Sequence, residues 1–437
     1  MAEPLRRTLT LRDLIFIVVG TVIGSGIFLT PGSVVRAAGS GGVALLVWAI
    51  GGGLSLLGAL TFAELGTTRP DSGGLYAYLK DAFGPLLAFL YGWTMFLVIG
   101  SGSMATLGAA FPRYVGVFVP LSAAGSSAVS LLMILVVTAV NVRGTRQSAD
   151  VQGIATSAKA GAIVLLALAL IAMGVQATHS NVWWPEQFSL STAIGALTGM
   201  IGVLWAYEGW QYVTFSAGET VDPQRTFGRG IVVGTALLIA IYVLANVGYF
   251  SALGVSGVAA SSRVASDAAS AVLGPWAGRI LSVVILLSIF SAANGLTLTL
   301  PRLFFAMARD RVFFARLAAV HPKFGTPAAA ILVTATWSAV LVLSGSFEQL
   351  LTYVVFMSWV WFALAALAIF VYRRRGGGTL QAFRTPGYPV TPILFVLAAL
   401  VIVVNTIVAQ PLQSIVGLGF AVLGIPAYYV WSRRVSD

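Results

Sequence analysis

An all-α protein that crosses a membrane many times is the fold class the sequence predicts, and three observations carry it. Apolar residues make up 58% of the 437 and charged residues only 9%, with a mean hydropathy of +0.93, far from the balance of a soluble domain. The apolar residues gather into twelve stretches, each near or above the roughly 18–20 residues that cross a hydrocarbon core. Two of these stretches are interrupted by residues that a lipid-facing helix avoids.

The first stretch, 14–38, is broken at Gly24-Ser25-Gly26, and the second, 41–65, runs into a loop punctuated by Gly and Pro. Next come 84–111, 120–141 and 153–175, the last carrying Lys159. The sixth, 191–217, is broken at Tyr207-Glu208-Gly209-Trp210. The remainder are 230–254, 279–305, 327–344, 349–372, 390–409 and 411–431. The longest loops, about 177–190 and 255–278, are too short for a soluble domain, so 1–437 reads as one transmembrane domain. The N-terminal MAEPLRRTLTLRD has no small-residue cleavage site after a short apolar core, so the first stretch is expected to stay as a span.

The formal charge of +11 orients the chain rather than recruiting a nucleic acid. With the N-terminus inside, twenty of the Lys and Arg fall on cytoplasmic segments, from Arg6, Arg7 and Arg12 to Arg433 and Arg434. Only Arg36, Arg113, Arg263 and Arg279 fall on or near the other side. That is the positive-inside bias, and it places both termini in the cytoplasm of a multi-pass protein of the cell's inner (plasma) membrane. There is no cysteine, so no disulfide and no thiolate metal site, and His179 and His321 sit in loops on opposite sides. No metal or cofactor is expected. An enzyme would need a nucleophile with a base, a metal cluster or a carboxylate pair at membrane depth, and Glu208 is the clearest buried acid.

The two breaks carry the functional reading. A continuous helix satisfies its own backbone in lipid, so two glycines and a serine at mid-depth cost stability unless the opened backbone lines a cavity. Paired half-helices near the midplane are how many secondary transporters hold a small charged substrate. The alternative is that Gly-x-Gly only lets two helices pack closely.

The loop after the second stretch reads Ala63-Glu64-Leu65-Gly66-Thr67-Thr68-Arg69-Pro70-Asp71-Ser72-Gly73-Gly74-Leu75-Tyr76-Ala77-Tyr78-Leu79. With it, Ile23-Gly24-Ser25-Gly26-Ile27-Phe28, Ser291-Ala292-Ala293-Asn294-Gly295, Arg302 to Asp310, His321-Pro322 and Thr326-Pro327 follow in order. Together they resemble the amino acid/polyamine/cation (APC) superfamily, most closely its L-type amino acid transporter (LAT) branch, as a bacterial-type stand-alone member. The resemblance implies a LeuT-like fold of twelve transmembrane helices. Two inverted five-helix repeats, about 14–175 and 191–372, would have broken helices 1 and 6 and be followed by two extra helices, about 390–431.

It further implies a sodium-independent amino acid carrier working by alternating access, as an exchanger or a proton-coupled symporter. Neutral L-amino acids, with cationic ones possible, are the expected cargo; a cationic, dibasic or polyamine carrier using Glu208 is the alternative, and a sensor or channel a remoter one. The amides of Ser25, Gly26 and Ile27, at the start of a half-helix, suit an α-carboxylate. Gly24 allows close approach, and the free carbonyls at about Val22, Ile23, Trp205 and Glu208 suit an α-ammonium. Tyr207, Gly209 and Trp210 complete the substrate-binding set. A bulky residue at Ser25 or Gly26 is expected to abolish binding in a protein that still folds.

In the family the aromatic at Trp205 caps the substrate as a gate, whereas an ordinary interfacial tryptophan is the plain alternative. Lys159 matches a lysine that, in several sodium-independent relatives, reaches the unwound first helix in place of a sodium ion; snorkelling to the headgroups is its alternative. Glu208 stands where neutral-substrate members usually have glycine and a related branch for cystine and dibasic amino acids has a carboxylate. It is read as binding a cationic substrate end, taking up a proton during transport, or pairing within the protein. The loop around Phe111 to Pro120 lacks the cysteine that joins animal light chains to a heavy chain. The expected partners are therefore the amino acid and membrane lipid, with no disulfide-linked heavy chain, as monomer or homodimer.

Overall fold

The computed structural model describes residues 7, 9–70, 73–143, 145–174, 182–376 and 383–433, with the backbone alone for 145–151, 432 and 433. Arg6, Asp71, Ser72, His179 and Arg434 lie outside the described residues. The first span is two helices, α1 (Leu11–Val22) and α2 (Gly26–Ala38), bent by 50°. Next come α3 (Gly41–Thr68), the short α4 (Leu75–Phe83), and a third span made of α5 (Pro85–Thr94), a π turn and α6 (Gly100–Val115). The chain continues through α7 (Ala123–Arg143), α8 (Thr145–Met173) and α9 (Leu190–Ala206), which passes into a 3₁₀ segment, Trp210–Glu219. The remaining helices are α10 (Pro223–Ala260), α11 (Val264–Leu273), α12 (Pro275–Arg309), α13 (Ala328–Ser344), α14 (Phe347–Arg374), α15 (Val390–Ala409) and α16 (Pro411–Arg433).

Each of the twelve apolar stretches carries a helix, but length alone does not give twelve spans. Among the described residues ten helices are long and apolar enough to cross, or eleven with the bent α1/α2 pair. The shortfall is α13, whose 17 residues cover about 26 Å of a roughly 30 Å core. The link 255–278 is also not a loop. It holds the end of α10 beyond a kink at Gly254, then α11, which buries Val264, Ala265, Ala268 and Ala269. Likewise α4 buries Leu75, Tyr76, Tyr78 and Leu79. Both helices are shorter than a span, so a search for span-length apolar runs passes over them.

Helix ends follow their caps. Thr10 and Asp13 form a reciprocal capping box that starts α1, and Ser346 and Gln349 do the same for α14. The π turn at Met95–Ile99 loosens the carbonyl ladder of the third span. Neighbours take up what it releases: the Trp337 indole donates to the Leu97 carbonyl at 2.8 Å, and the Ser101 hydroxyl to Phe96 at 2.7 Å.

Ion pairs bind the end of the bundle where α1 begins. Glu64 on α3 accepts two hydrogen bonds from the Arg373 guanidinium on α14, both 2.7 Å, and a third from the Thr385 amide at 2.6 Å. The Arg373 guanidinium also lies 3.7 Å from the Tyr388 ring centroid. Glu219 pairs with Arg302, and Asp310 accepts from both Lys80 and Tyr76. Just before α1, the Leu9 amide donates to the Glu219 carbonyl and the Val221 amide to the Leu9 carbonyl, both at 2.9 Å.

Glu64 is nearly inaccessible, whereas in the Arg69–Asp81 pair Arg69 is half exposed and Asp81 a third. Replacing Arg373 with Met leaves a buried carboxylate without its cation, and is expected to cost roughly 3 kcal/mol. Arg69→Ala is expected to cost less than about 1 kcal/mol. Thermal melting of the two purified variants in detergent reads the difference directly.

Candidate functional site

Breaking a helix at membrane depth strands the carbonyls of its last turn and the amides of the next helix's first turn. In the first span the protein's own donors claim the carbonyls. The Lys159 ammonium, 3% exposed on α8, donates to the carbonyls of Gly20 and Ile23, each at 2.7 Å, and to the Ser291 hydroxyl at 3.3 Å. The Ser288 hydroxyl adds a second donor to Ile23 at 3.0 Å, and Tyr242 donates to Val22 at 3.2 Å. The expectation of free carbonyls is therefore corrected for Val22, Ile23 and Trp205. Ile23 already accepts twice, Val22 once, and the Trp205 carbonyl takes the Glu208 amide at 3.0 Å. An apolar interior leaves such groups no water, so they pair within the protein.

The amide end is different. Gly26 opens α2, and Ser25 before it makes no side-chain capping bond. The Ser25 hydroxyl is buried without a hydrogen-bond partner, and so is the Trp205 indole N–H. Both residues line one small cavity, together with Thr21, Val22, Gly24, Gly26 and Glu208. Ser103, Leu107, Tyr212, Ala292 and Leu296 complete its wall.

The second break has its own support. Gly209 takes φ 123°, a conformation side-chain-bearing residues rarely adopt, and its carbonyl accepts from the Thr21 hydroxyl at 3.2 Å. The two breaks are thereby tied to each other. Tyr207 packs its ring against Trp48 and Tyr242, and Trp210 against Phe62 and Phe362. Neither ring faces the cavity wall, and Ile23, Ile27 and Gly209 also lie outside it. Their side chains or backbone serve the packing around the breaks.

Glu208 is 7% exposed, lines the cavity and accepts from the Gln211 amide at 2.6 Å and the Ser358 hydroxyl at 3.1 Å. Both donors are neutral. Among the described residues no ion pair includes it. Trp205 meets Phe347, the first residue of α14, edge to face at 6.3 Å.

The structure brings Lys159 and both breaks together, and adds residues that carried no site role in the sequence reading. Ser288 and Ser291 are hydroxyls three apart on α12, Ser291 within the motif quoted above, and Ser103 closes the run Gly100-Ser101-Gly102-Ser103. Small polar residues inside a span were the available signal. Leu107, Ala292 and Leu296 carry none, since an apolar residue that lines a cavity looks like any other in a membrane helix.

Known proteins resemble this chain over nearly its whole length. A family model described as amino acid permease matches residues 9–430. The serine/threonine exchanger SteT of Bacillus subtilis is 30% identical over 438 residues, covering 99% of this chain and 98% of its own. The b(0,+)-type amino acid transporter 1 of Mus musculus is 31% identical, covering 97% of this chain and 88% of its own. The human cystine/glutamate transporter is 29% identical, covering 98% and 87%.

The two central residues of the first break respond differently to added bulk. A Cβ at Gly26 would stand 2.4 Å from the Ala206 Cα and 2.7 Å from its Cβ, so the backbones of α2 and α9 would have to part. Gly26→Leu therefore breaks packing as well as the cavity, contrary to the expectation that it leaves the fold alone. Gly26→Ala is expected to lose about 2 kcal/mol of stability, whereas Ser25→Ala, which removes an unpartnered hydroxyl, is expected to melt with the parent protein. Detergent melting curves of the two variants decide this.

Proposed function

The chain belongs to the amino acid permease family of the APC superfamily, and on that premise we propose a sodium-independent amino acid carrier whose substrate lies between the two helix breaks. It is a membrane transporter and not an enzyme. The observation that carries the finer reading is the pair of buried, unsatisfied donors, the Ser25 hydroxyl and the Trp205 indole, on two residues that line one cavity beside the start of α2. A carboxylate placed there would meet fixed donors and the positive end of a helix dipole. Its cargo would be L-amino acids, neutral ones first, and its cycle exchange or proton symport across the inner membrane, with both termini in the cytoplasm.

Sodium independence rests on Lys159. Its ammonium supplies a fixed positive charge and donates to two stranded carbonyls and to the Ser291 hydroxyl. A monovalent ion has nothing left to do there. Lys159 is also the residue through which substrate binding and helix movement would be coupled. The helices α1, α2, α3, α9 and α10 would move against α5–α8 and α12–α14 in two repeats, with Trp205 as the gate.

A second reading concerns Glu208, and a specific observation favours it. Glu208 lines the cavity and its carboxylate accepts from two neutral donors, and among the described residues no ion pair balances its charge. A substrate ammonium, as on a lysine-like or dibasic side chain or a polyamine, would balance it. A proton would do the same.

Proteoliposome uptake separates these readings. Ser25→Leu is expected to abolish exchange of every amino acid while the melting temperature stays near that of the parent; unchanged uptake would remove the site. Uptake is expected to be the same in sodium and choline buffers and to be lost in Lys159→Ala. Glu208→Gln is expected to reduce cationic substrates at least tenfold relative to alanine if the carboxylate binds them, on the order of the cost of unpairing a buried charge. Equal loss for alanine and lysine points instead to the proton.

A further inference from the structure

We propose that Phe347, oriented by Arg113 and Glu348, is the seat against which Trp205 closes the cavity on the face opposite the start of α1. Phe347 is thus a positioning residue of the transport cycle. The indole N–H of Trp205 has no partner, so no hydrogen bond holds this side chain over the cavity. What holds it is packing, and the contact across the helices is the edge-to-face pair with Phe347 at 6.3 Å and 86°. Such pairs have a preferred geometry and an energy beyond their buried area.

The seat itself is built to stay in place. Phe347 is 4% exposed and follows Ser346, whose capping box with Gln349 fixes the first turn of α14. On another side of the ring, the Arg113 guanidinium lies 4.9 Å from the centroid while donating to the Glu348 carboxylate at 2.9 Å. Arg113 ends α6 and Glu348 begins α14, so one guanidinium joins two helices around the ring. Both charged side chains are more than a third exposed, and an exposed pair adds little stability by itself. Its effect is on the ring's orientation. Trp205, by contrast, sits on α9, one residue before the break. Opening the cavity toward that face requires the Trp205–Phe347 contact to part.

The chain has no cysteine, so a single introduced thiol reports access cleanly. In an Ala292→Cys background, where position 292 lines the cavity, labelling by a membrane-impermeant methanethiosulfonate added from that face measures opening. Phe347→Leu is expected to raise the labelling rate roughly three- to tenfold, and Phe347→Tyr, which keeps the ring, to leave it within about twofold. Arg113→Gln, at an exposed position that does not threaten folding, is expected to raise it about two- to fivefold. Trp205→Ala should raise it as well, and adding Phe347→Leu to Trp205→Ala should add nothing, since both remove one contact. An unchanged rate in Arg113→Gln or Phe347→Leu, or fully multiplying effects in the double variant, overturns the proposal. The functional meaning of the seat rests on the substrate reading above, but the labelling does not require substrate. Protection of the same cysteine by an amino acid tests that reading separately.

Discussion

The ammonium of Lys159 on the carbonyls of Gly20 and Ile23 is the contact on which the rest depends. A transmembrane helix can be opened only where something other than lipid satisfies its backbone. In this protein a buried cation on α8 does so, reaching two carbonyls at 2.7 Å with Ser288, Ser291 and Tyr242 beside it. With the carbonyl end held, the amide end at Ser25 and Gly26 lies along the cavity wall. The break thereby has one side closed by the protein's own donors and one side bordering a cavity.

The second break is solved by different means. Among the described residues no ion pair reaches it. Gly209 supplies the backbone turn, Thr21 ties its carbonyl to the first break, and aromatic rings on both sides fill the space that a regular helix would occupy. Its carboxylate, Glu208, is held by an amide and a hydroxyl, and so keeps its charge or its proton uncommitted. One break is thus fixed by charge and the other by shape.

Much of this was legible because polar and small residues stand out in apolar runs. Gly24-Ser25-Gly26, Lys159 and Glu208 were each visible as violations of the membrane pattern, and the helices follow the apolar stretches closely. The missing parts are those where the pattern is obeyed. Phe347, Leu107 and Leu296 read as ordinary lipid or core residues until the fold brings them to the cavity or its edge. The short helices α4 and α11 lie below span length, and α13 falls just under it. Whether a stranded carbonyl is free or already paired depends on residues more than a hundred positions away, which periodicity along the chain does not record.

That separation has a consequence for how the protein is made. Gly20 and Ile23 leave the ribosome well ahead of their partner, 139 and 136 residues before Lys159. Until α8 arrives, the first span would hold stranded carbonyls in lipid, so during insertion it is best satisfied as one continuous helix, each carbonyl bonded to the amide four residues on. The kink would therefore form late, when α8 docks its Lys159 against the first span. Pairing of Leu9 with the segment after Trp210–Glu219 then fixes the start of the first helix only once the sixth span is in place. The break would be the last part of the first span to acquire its shape.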